Sequence, residues 1–333
     1  MRVLVAGGAG FIGNNFVRYL LSRYPDREVT ILDKLTYAAR KENIRDILSN
    51  VRFIKGDVCN GEDVSQALSG CKIVYNFAAE THVDRSIVEA SPFIQTNIQG
   101  TQVLLEAARR SGVEQFFQIS TDEVYGSVAK GASTESDPLD PSSPYSASKA
   151  ASELLARSHY KTYQFPVIVI RPSNNFGPFQ YPEKLIPVLI INALHNEPLP
   201  IYGDGLQVRD WLYVEDACAG IDVIANEGEA GEVYNLGAGN GITNLEIAKR
   251  ILAIMGKPES LISYVKDRPG HDRRYAMNCA RITSLGWKPV VSLEEGLRKT
   301  VHWYLENKEF WEPLRQTGVL AVSQQGLYPS QGL

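Results

Sequence analysis

The sequence predicts an α/β protein: a doubly wound parallel sheet followed by a second, smaller α/β lobe. Three observations point there. Strand-length apolar runs alternate with helical patterns through the first half, a glycine-rich turn joins the first run to the first helical pattern, and beyond Pro172 prolines and glycines break the rhythm. At 333 residues the chain is long enough for one large domain with an appended lobe.

The strand candidates begin with apolar runs at 3–6, 29–32, 51–54 and 73–77, and continue at 115–119 and 167–170. Their apolarity is continuous rather than alternating, as expected of strands buried on both faces. Between them, 92–110 and 144–163 read as long helices, each opened by a proline with serine beside it. After Pro172, prolines at 178, 182, 187, 198 and 200 and glycines at 203 and 205 predict loops and short elements. Thr243-x-x-Glu246 and Ser292-x-x-Glu295 each fit a capping box and predict two later helices. A further buried strand is expected at 231–237. The expected division is therefore 1–172, rejoined by part of 206–240, and 173–333 as the main part of the second lobe, ending in a polar tail from about Gly318.

The formal charge of −4, from 34 basic and 38 acidic residues without a long run of either sign, argues against nucleic acid or an anionic membrane as partner. A small molecule is the expected partner. The four cysteines are widely spaced, without Cys-x-x-Cys, which argues against a zinc knuckle, a redox dithiol or a disulfide framework. No metal site is expected; His82, His159, His195 and His302 lack ligand spacing and suit structural roles. The N-terminus enters a strand without an export signal, and no stretch is long and apolar enough to span a bilayer, so a cytoplasmic protein is expected.

Gly8-x-Gly10-x-x-Gly13 follows the first strand and opens a helix, with Gly7 offering a second register. That context predicts a Rossmann-like phosphate-binding turn, where side chains would block a pyrophosphate. Asp33 ends the next strand, placed to accept from ribose hydroxyls, and an acid there favours NAD over NADP. Asp57 and the segment 76–80 leave strand ends where the crevice should lie, though Asp57 equally suits a turn.

Tyr145 and Lys149 are one helical turn apart and share a face. A nearby ammonium would lower the phenol's pKa toward working pH, letting Tyr145 accept a hydroxyl proton as hydride leaves carbon. The small neighbours Ser146, Ala147, Ser148, Ala150 and Ala151 would let a cofactor approach. Hydride transfer needs one base and no adjacent carboxylates, yet Asp122 and Glu123 stand at the end of the fifth strand. Neighbouring carboxylates repel and tend to keep one protonated, so the pair implies further proton transfers.

The stretches GGAGFIG (7–13), DKLTYA (33–38), FAAETHVDRSI (77–87), ISTDEVYG (119–126), YSASKA (145–150), RPSNNFGP (171–178), LPIYGDG (199–205), VRDWLYVED (208–216) and DRPGHDRRYA (267–276) run through nearly the whole chain. In this order they resemble the extended short-chain dehydrogenase/reductases, and within them the dTDP-glucose 4,6-dehydratases. The sequence departs from the usual pattern at Thr81, where serine is common, and at Phe176, where tyrosine is common.

The resemblance implies an NAD-dependent lyase on a nucleotide sugar, working by transient C4 oxidation, elimination across C5 and C6, and hydride return to C6. In that scheme Asp122 is the acid for C6, Glu123 the base for C5, and Thr121 polarises the C4 oxygen with Tyr145. For the cofactor it implies, besides the residues above, Phe11, Ile12, Lys34, Leu35 and Thr36, then Val58, Phe77, Ala78, Ala79, Thr96, Ser120 and Asn175. For the substrate it implies His82, Ser86, Thr121, Asn174, Lys184 and Leu185, then Pro200, Ile201, Tyr202, Arg209 and Asn244, and the segment Asp267, Arg268, Pro269, Gly270 and His271. Planar arginine forks suit the diphosphate. A 4-epimerase or decarboxylase would share the cofactor and Tyr/Lys sites; an epimerase needs no acid pair. A homodimer through the helices at 92–110 and 144–163 is expected by the same analogy.

Overall fold

The computed structural model describes residues 1–316; the expected tail from Gly318 lies outside the described residues. The strands are β1 (Arg2–Ala6), β2 (Glu28–Asp33), β3 (Val51–Lys55), β4 (Cys71–Asn76), β5 (Gln115–Ile119), β6 (Val167–Pro172), β7 (Asn174–Phe176), β8 (Leu199–Tyr202), β9 (Val208–Tyr213), β10 (Val233–Leu236), β11 (Gly241–Thr243) and β12 (Ile262–Val265).

Seven of them form one sheet in the order β10-β6-β5-β4-β1-β2-β3, every pair parallel. The chain winds outward from β1 through β2 and β3, then returns to place β4 on the other side of β1. The crevice outside the C-terminal ends of β1 and β4 is therefore the switch point at which such sheets bind ligands.

Continuous apolarity in these strands has a direct cause. Val3, Val5, Tyr75, Phe117, Ile168 and Ile170 enter the core on one face of the sheet. Leu4, Ala6, Val74, Phe116, Val167 and Val169 enter the core on the other. Alternate side chains point to opposite faces, so a strand covered on both sides must be apolar throughout. Each buried valine, leucine, isoleucine or phenylalanine among them stabilises the fold by about 1.5–3 kcal/mol.

The helix Pro144–Tyr163 begins with a reciprocal cap: Ser143 Oγ accepts from Ser146 N (3.1 Å) and Ser146 Oγ accepts from Ser143 N (3.0 Å). The helical run beginning at Ser91 is less regular than the sequence suggests. Its middle, Ile94–Gly100, is a π-helix between the α-helical Ser91–Phe93 and Thr101–Arg110. The wide turn presents Asn97, whose side chain accepts from Glu80 N (2.9 Å) and donates to Glu80 O (3.1 Å) and Ser148 Oγ (2.8 Å). One amide thus fastens the segment after β4 to the helix carrying Tyr145.

The second lobe has its own core, which includes Phe176, Leu189, Trp211, Ile247, Leu297 and Trp311. The strands β11-β9-β7 and the parallel pair β12-β8 frame it. Two helices begin where the capping signals lie, Asn244–Met255 and Leu293–Glu306. Only half of each box forms: Thr243 Oγ accepts from Glu246 N (3.2 Å) and Ser292 Oγ from Glu295 N (3.3 Å). Their glutamates turn instead to cations one turn ahead, Glu246 to Arg250 (2.9 Å) and Glu295 to Lys299 (3.2 Å). A helix the proline count argued against spans Leu185–Leu194, with Pro187 in its first turn, where the missing N–H costs nothing. Among the described residues no helix is long and apolar enough to cross a membrane.

Candidate active site

At the end of β1 the chain turns through Gly7, at φ 76°. A Cβ at Gly7 would stand 2.6 Å from Ala78 N, and one at Gly13 would strike the Gly7 carbonyl. The helix Phe11–Arg23 starts here with Gly10 as N-cap, no capping side chain and no acidic residue in its first turn. Its first N–H groups are left for an anion, the arrangement that suits a pyrophosphate. Gly7, Gly10, Phe11, Ile12 and Gly13 all line the cleft above the switch point.

Asp33, at the end of β2, accepts from Ala9 N (2.9 Å) and Leu35 N (2.8 Å). Burial pushes its carboxyl up, and the two N–H donors oppose that shift. Two of its lone-pair sites remain for hydroxyl donors in the cleft. Lys34 reaches Asp57 at 2.7 Å. Burial raises the Asp57 carboxyl, but the Lys34 ammonium and the Cys59 N–H outweigh it, and the net shift is downward. Thr36, Val58, Phe77, Ala78, Ala79 and Thr96 complete the cleft, together with Ser120 and Asn175. Leu35 is not brought there; it packs against the core of the large sheet.

Beyond β5, a short 3₁₀ turn (Asp122–Tyr125) is capped by Thr121, whose Oγ1 accepts from Glu123 N at 3.3 Å. The same hydroxyl donates to Asp122 Oδ1 at 3.3 Å and lies close enough to the Tyr145 phenol to act on its pKa. Asp122 is 3 % exposed. Burial first, and then the Glu123 carboxylate, push its carboxyl well above the ordinary range. Its Oδ2 is buried without a hydrogen-bond partner. Burial also raises Glu123; Arg268, Arg209 and Lys184 favour its charged form, but the net shift remains upward. Both neighbours are raised, Asp122 well above the ordinary range, and only Glu123 has several cations acting against the shift.

Tyr145 corrects one expectation. Its phenol is raised, not lowered: burial and the Glu123 carboxylate act upward, and only the Thr121 hydroxyl acts downward. The Lys149 ammonium is engaged elsewhere, donating to the Ile119 carbonyl at 2.5 Å. Burial lowers Lys149 to about 8, against an upward pull from Glu153.

A second cavity adjoins the cleft, and Thr81, Glu123, Asn174, Glu183 and Lys184 line both. His82, Leu185, Pro200, Tyr202, Arg209 and Asn244 line the second, as do Arg268 and His271. Arg209 donates to the Asp272 carbonyl (2.9 Å) and lies over the Tyr275 ring (4.1 Å). Lys184 Nζ donates to the Thr81 carbonyl at 2.8 Å. His271 contacts Asp267 at 2.5 Å, and burial holds its imidazole down at about 4. Ile201, Asp267, Pro269 and Gly270 are not among its lining residues: Ile201 is buried in the core of the second lobe, and the other three are exposed. Ser86 is buried, and its Oγ accepts from Tyr145 N at 3.2 Å. Asp84, Glu183, Trp211 and Tyr275 line the second cavity without having been singled out from the sequence. Asp84 lies within the same VDRS run as Ser86, and Glu183 precedes Lys184, so adjacency to named residues was their only signal.

Among the described residues no cluster of histidine, cysteine, aspartate or glutamate could hold a metal ion.

A glycine turn at the switch point of a parallel sheet, with a buried tyrosine and lysine on the helix that follows β5, defines a Rossmann-type short-chain dehydrogenase/reductase. Residues 4–300 match the family described as GDP-mannose 4,6 dehydratase, and the chain belongs to that family. It is 51 % identical to the low-salt glycan biosynthesis protein Agl12 of Haloferax volcanii, over 93 % of this chain and 100 % of that one. It is 48 % identical to a dTDP-glucose 4,6-dehydratase of Streptomyces niveus, over 95 % and 96 %. The structure of DesIV, a dTDP-glucose 4,6-dehydratase of Streptomyces venezuelae solved with NAD bound, is similar with a TM-score of 0.92 and 48 % identity, over 94 % of this chain and 100 % of that one.

Proposed function

We propose that this chain is an NAD-dependent hydro-lyase that converts dTDP-glucose to dTDP-4-keto-6-deoxyglucose and water. The observation that carries this reading is the Thr121-Asp122-Glu123 triplet beside Tyr145, with Glu123 on the wall shared by the two cavities. The relatives named dTDP-glucose 4,6-dehydratases support it. In this reading the lobe built on the large sheet carries NAD, and 173–333 mainly carries the nucleotide sugar.

The glycine cradle, the uncapped helix start and Asp33 fit a dinucleotide. Bound there, NAD would supply a hydride acceptor for C4 and donor for C6, and a cationic ring whose charge would favour the Tyr145 phenolate. Tyr145 accepts the C4 hydroxyl proton, and Thr121 donates a hydrogen bond to the C4 oxygen. A ketone at C4 makes the C5 hydrogen acidic, and Glu123 removes it. Asp122 protonates the C6 hydroxyl, which leaves as water, and Glu123 returns a proton to C5. Lys184, Arg209 and Arg268 hold the diphosphate.

The test is an assay of the purified protein with dTDP-glucose in deuterium oxide. A keto product carrying deuterium at C5 is expected; absence of both product and label overturns the reading. A 4-epimerase would instead return a sugar still hydroxylated at C6.

A homodimer in a reducing cytoplasm completes the proposal. Ile94 and Leu154, on the two long helical segments, are large apolar side chains left 55 % and 53 % exposed. The four cysteines are unpaired, as a reducing compartment requires.

A further inference from the structure

Asp84 sits on the short helix Val83–Val88 and is only 4 % exposed. Its two carboxylate oxygens reach into the second lobe: Oδ1 accepts from Arg268 Nη1 (3.2 Å) and Oδ2 from the Tyr202 hydroxyl (2.9 Å). An aspartate on the wall of a cavity that takes an anionic ligand would repel that ligand. Here both oxygens are turned to side chains, and the charge is neutralised by a guanidinium of which Nε is buried without a partner. One edge of the Arg268 fork is thus anchored to Asp84, while another donor remains for a ligand. The same helix carries Ser86, whose hydroxyl accepts from Tyr145 N (3.2 Å). A single six-residue helix therefore holds both the nucleotide-side cation and the start of the helix bearing the proposed redox tyrosine.

We propose that Asp84 is a positioning residue: it sets the Arg268 guanidinium and the Tyr202 ring in the geometry that receives the nucleotide diphosphate. This rests on the nucleotide-sugar reading of the second cavity. Both carboxylate oxygens are engaged by its two partners, so its removal acts on binding more than on the chemical step.

The experiment uses the full-length protein and thymidine diphosphate as the probe, with titration calorimetry, steady-state kinetics and melting temperature measured for each variant. Asp84→Asn keeps the shape but loses the charge, and its side chain can accept from only one of the two donors. It is expected to weaken thymidine diphosphate by roughly tenfold and to raise KM for dTDP-glucose by a similar factor, with a smaller fall in kcat. Because Asp84 acts in part through Arg268, the double variant Asp84→Ala/Arg268→Ala should lose less binding than the sum of the two single losses. The proposal is overturned if Asp84→Asn binds the probe as the wild type does, if the losses of Asp84→Ala and Arg268→Ala add, or if only melting temperature falls. Failure of the underlying reading looks different: the wild type would not bind thymidine diphosphate, or Arg268→Ala alone would bind it undiminished.

Discussion

Asp122 and Glu123 are consecutive carboxylic acids to which the proposed mechanism gives opposite tasks, and what each faces differs. Asp122 is enclosed, with a partnerless oxygen, whereas Glu123 is half-buried and faces Lys184, Arg209 and Arg268. Activity should therefore fall at low pH as Glu123 takes a proton and at high pH as Asp122 loses one. Replacing Glu123 by Gln should abolish C5 exchange more completely than C4 oxidation, which is measured by comparing deuterium uptake with bound NADH absorbance in a single turnover. Loss of a positioned proton-transfer group is worth about 10²–10⁴-fold in rate.

Asp122→Asn carries a prediction about stability as well. A buried carboxyl raised above its unfolded value, about 3.9, favours the folded protonated form at low pH. Its contribution is whole below the unfolded pKa and is lost as pH rises through the folded one. The amide variant should thus melt higher than the wild type at pH 8, with the gap narrowing as pH falls toward 5, while dehydration is lost. Equal melting temperatures at both pH values would contradict the burial argument.

The turn between β1 and the helix Phe11–Arg23 works because it has no side chains where two backbone segments meet. A methyl group at Gly13 would collide with the Gly7 carbonyl, so Gly13→Ala must displace the turn that faces the cofactor. A cost of roughly 2–3 kcal/mol in stability and a loss of NAD retention are expected, measured by denaturant titration and by cofactor content after gel filtration.

Such turns were legible in the sequence because a glycine pattern at a strand-to-helix junction has few other uses. The two-sided strands were legible too, through unbroken apolarity such as Val3–Ala6. The helix Leu185–Leu194 was not: it is buried on nearly every face, so its residues show no 3.6-residue period, and Pro187 reads as a breaker unless its place in the first turn is known. The engagement of Lys149 with the Ile119 carbonyl was equally hidden, since that bond spans thirty residues of sequence. Tyr145 and Lys149 were found from their spacing, but what the ammonium touches depends on where β5 ends.

The loop after β2 ties the two lobes together across the cofactor cleft. The Tyr37 hydroxyl donates to Glu183 (2.8 Å), its ring meets that of Tyr181 edge-on at 5.4 Å, and Arg40 donates to the Phe310 carbonyl while lying over that ring. Glu183 is further paired with Arg85 at 3.3 Å. Glu183 and Tyr181 also line the cofactor cleft, so a dinucleotide held there would lie beside this bridge. Tyr37→Phe removes its central hydrogen bond and should speed NAD release several-fold; an unaltered release rate in a cofactor-exchange experiment would contradict this role.

The chain also passes between lobes repeatedly. It leaves the large sheet after β6, returns at Val214 to cover it, supplies β10 beside β6, departs through β11, and comes back once more with Ile282 and Trp287. Neither lobe is therefore a contiguous cassette. A chimaera that borrows the sugar-recognising part of a relative cannot be spliced at one point, because a single joint would hand the outermost strand of the large sheet to the wrong parent; every passage must be matched at once.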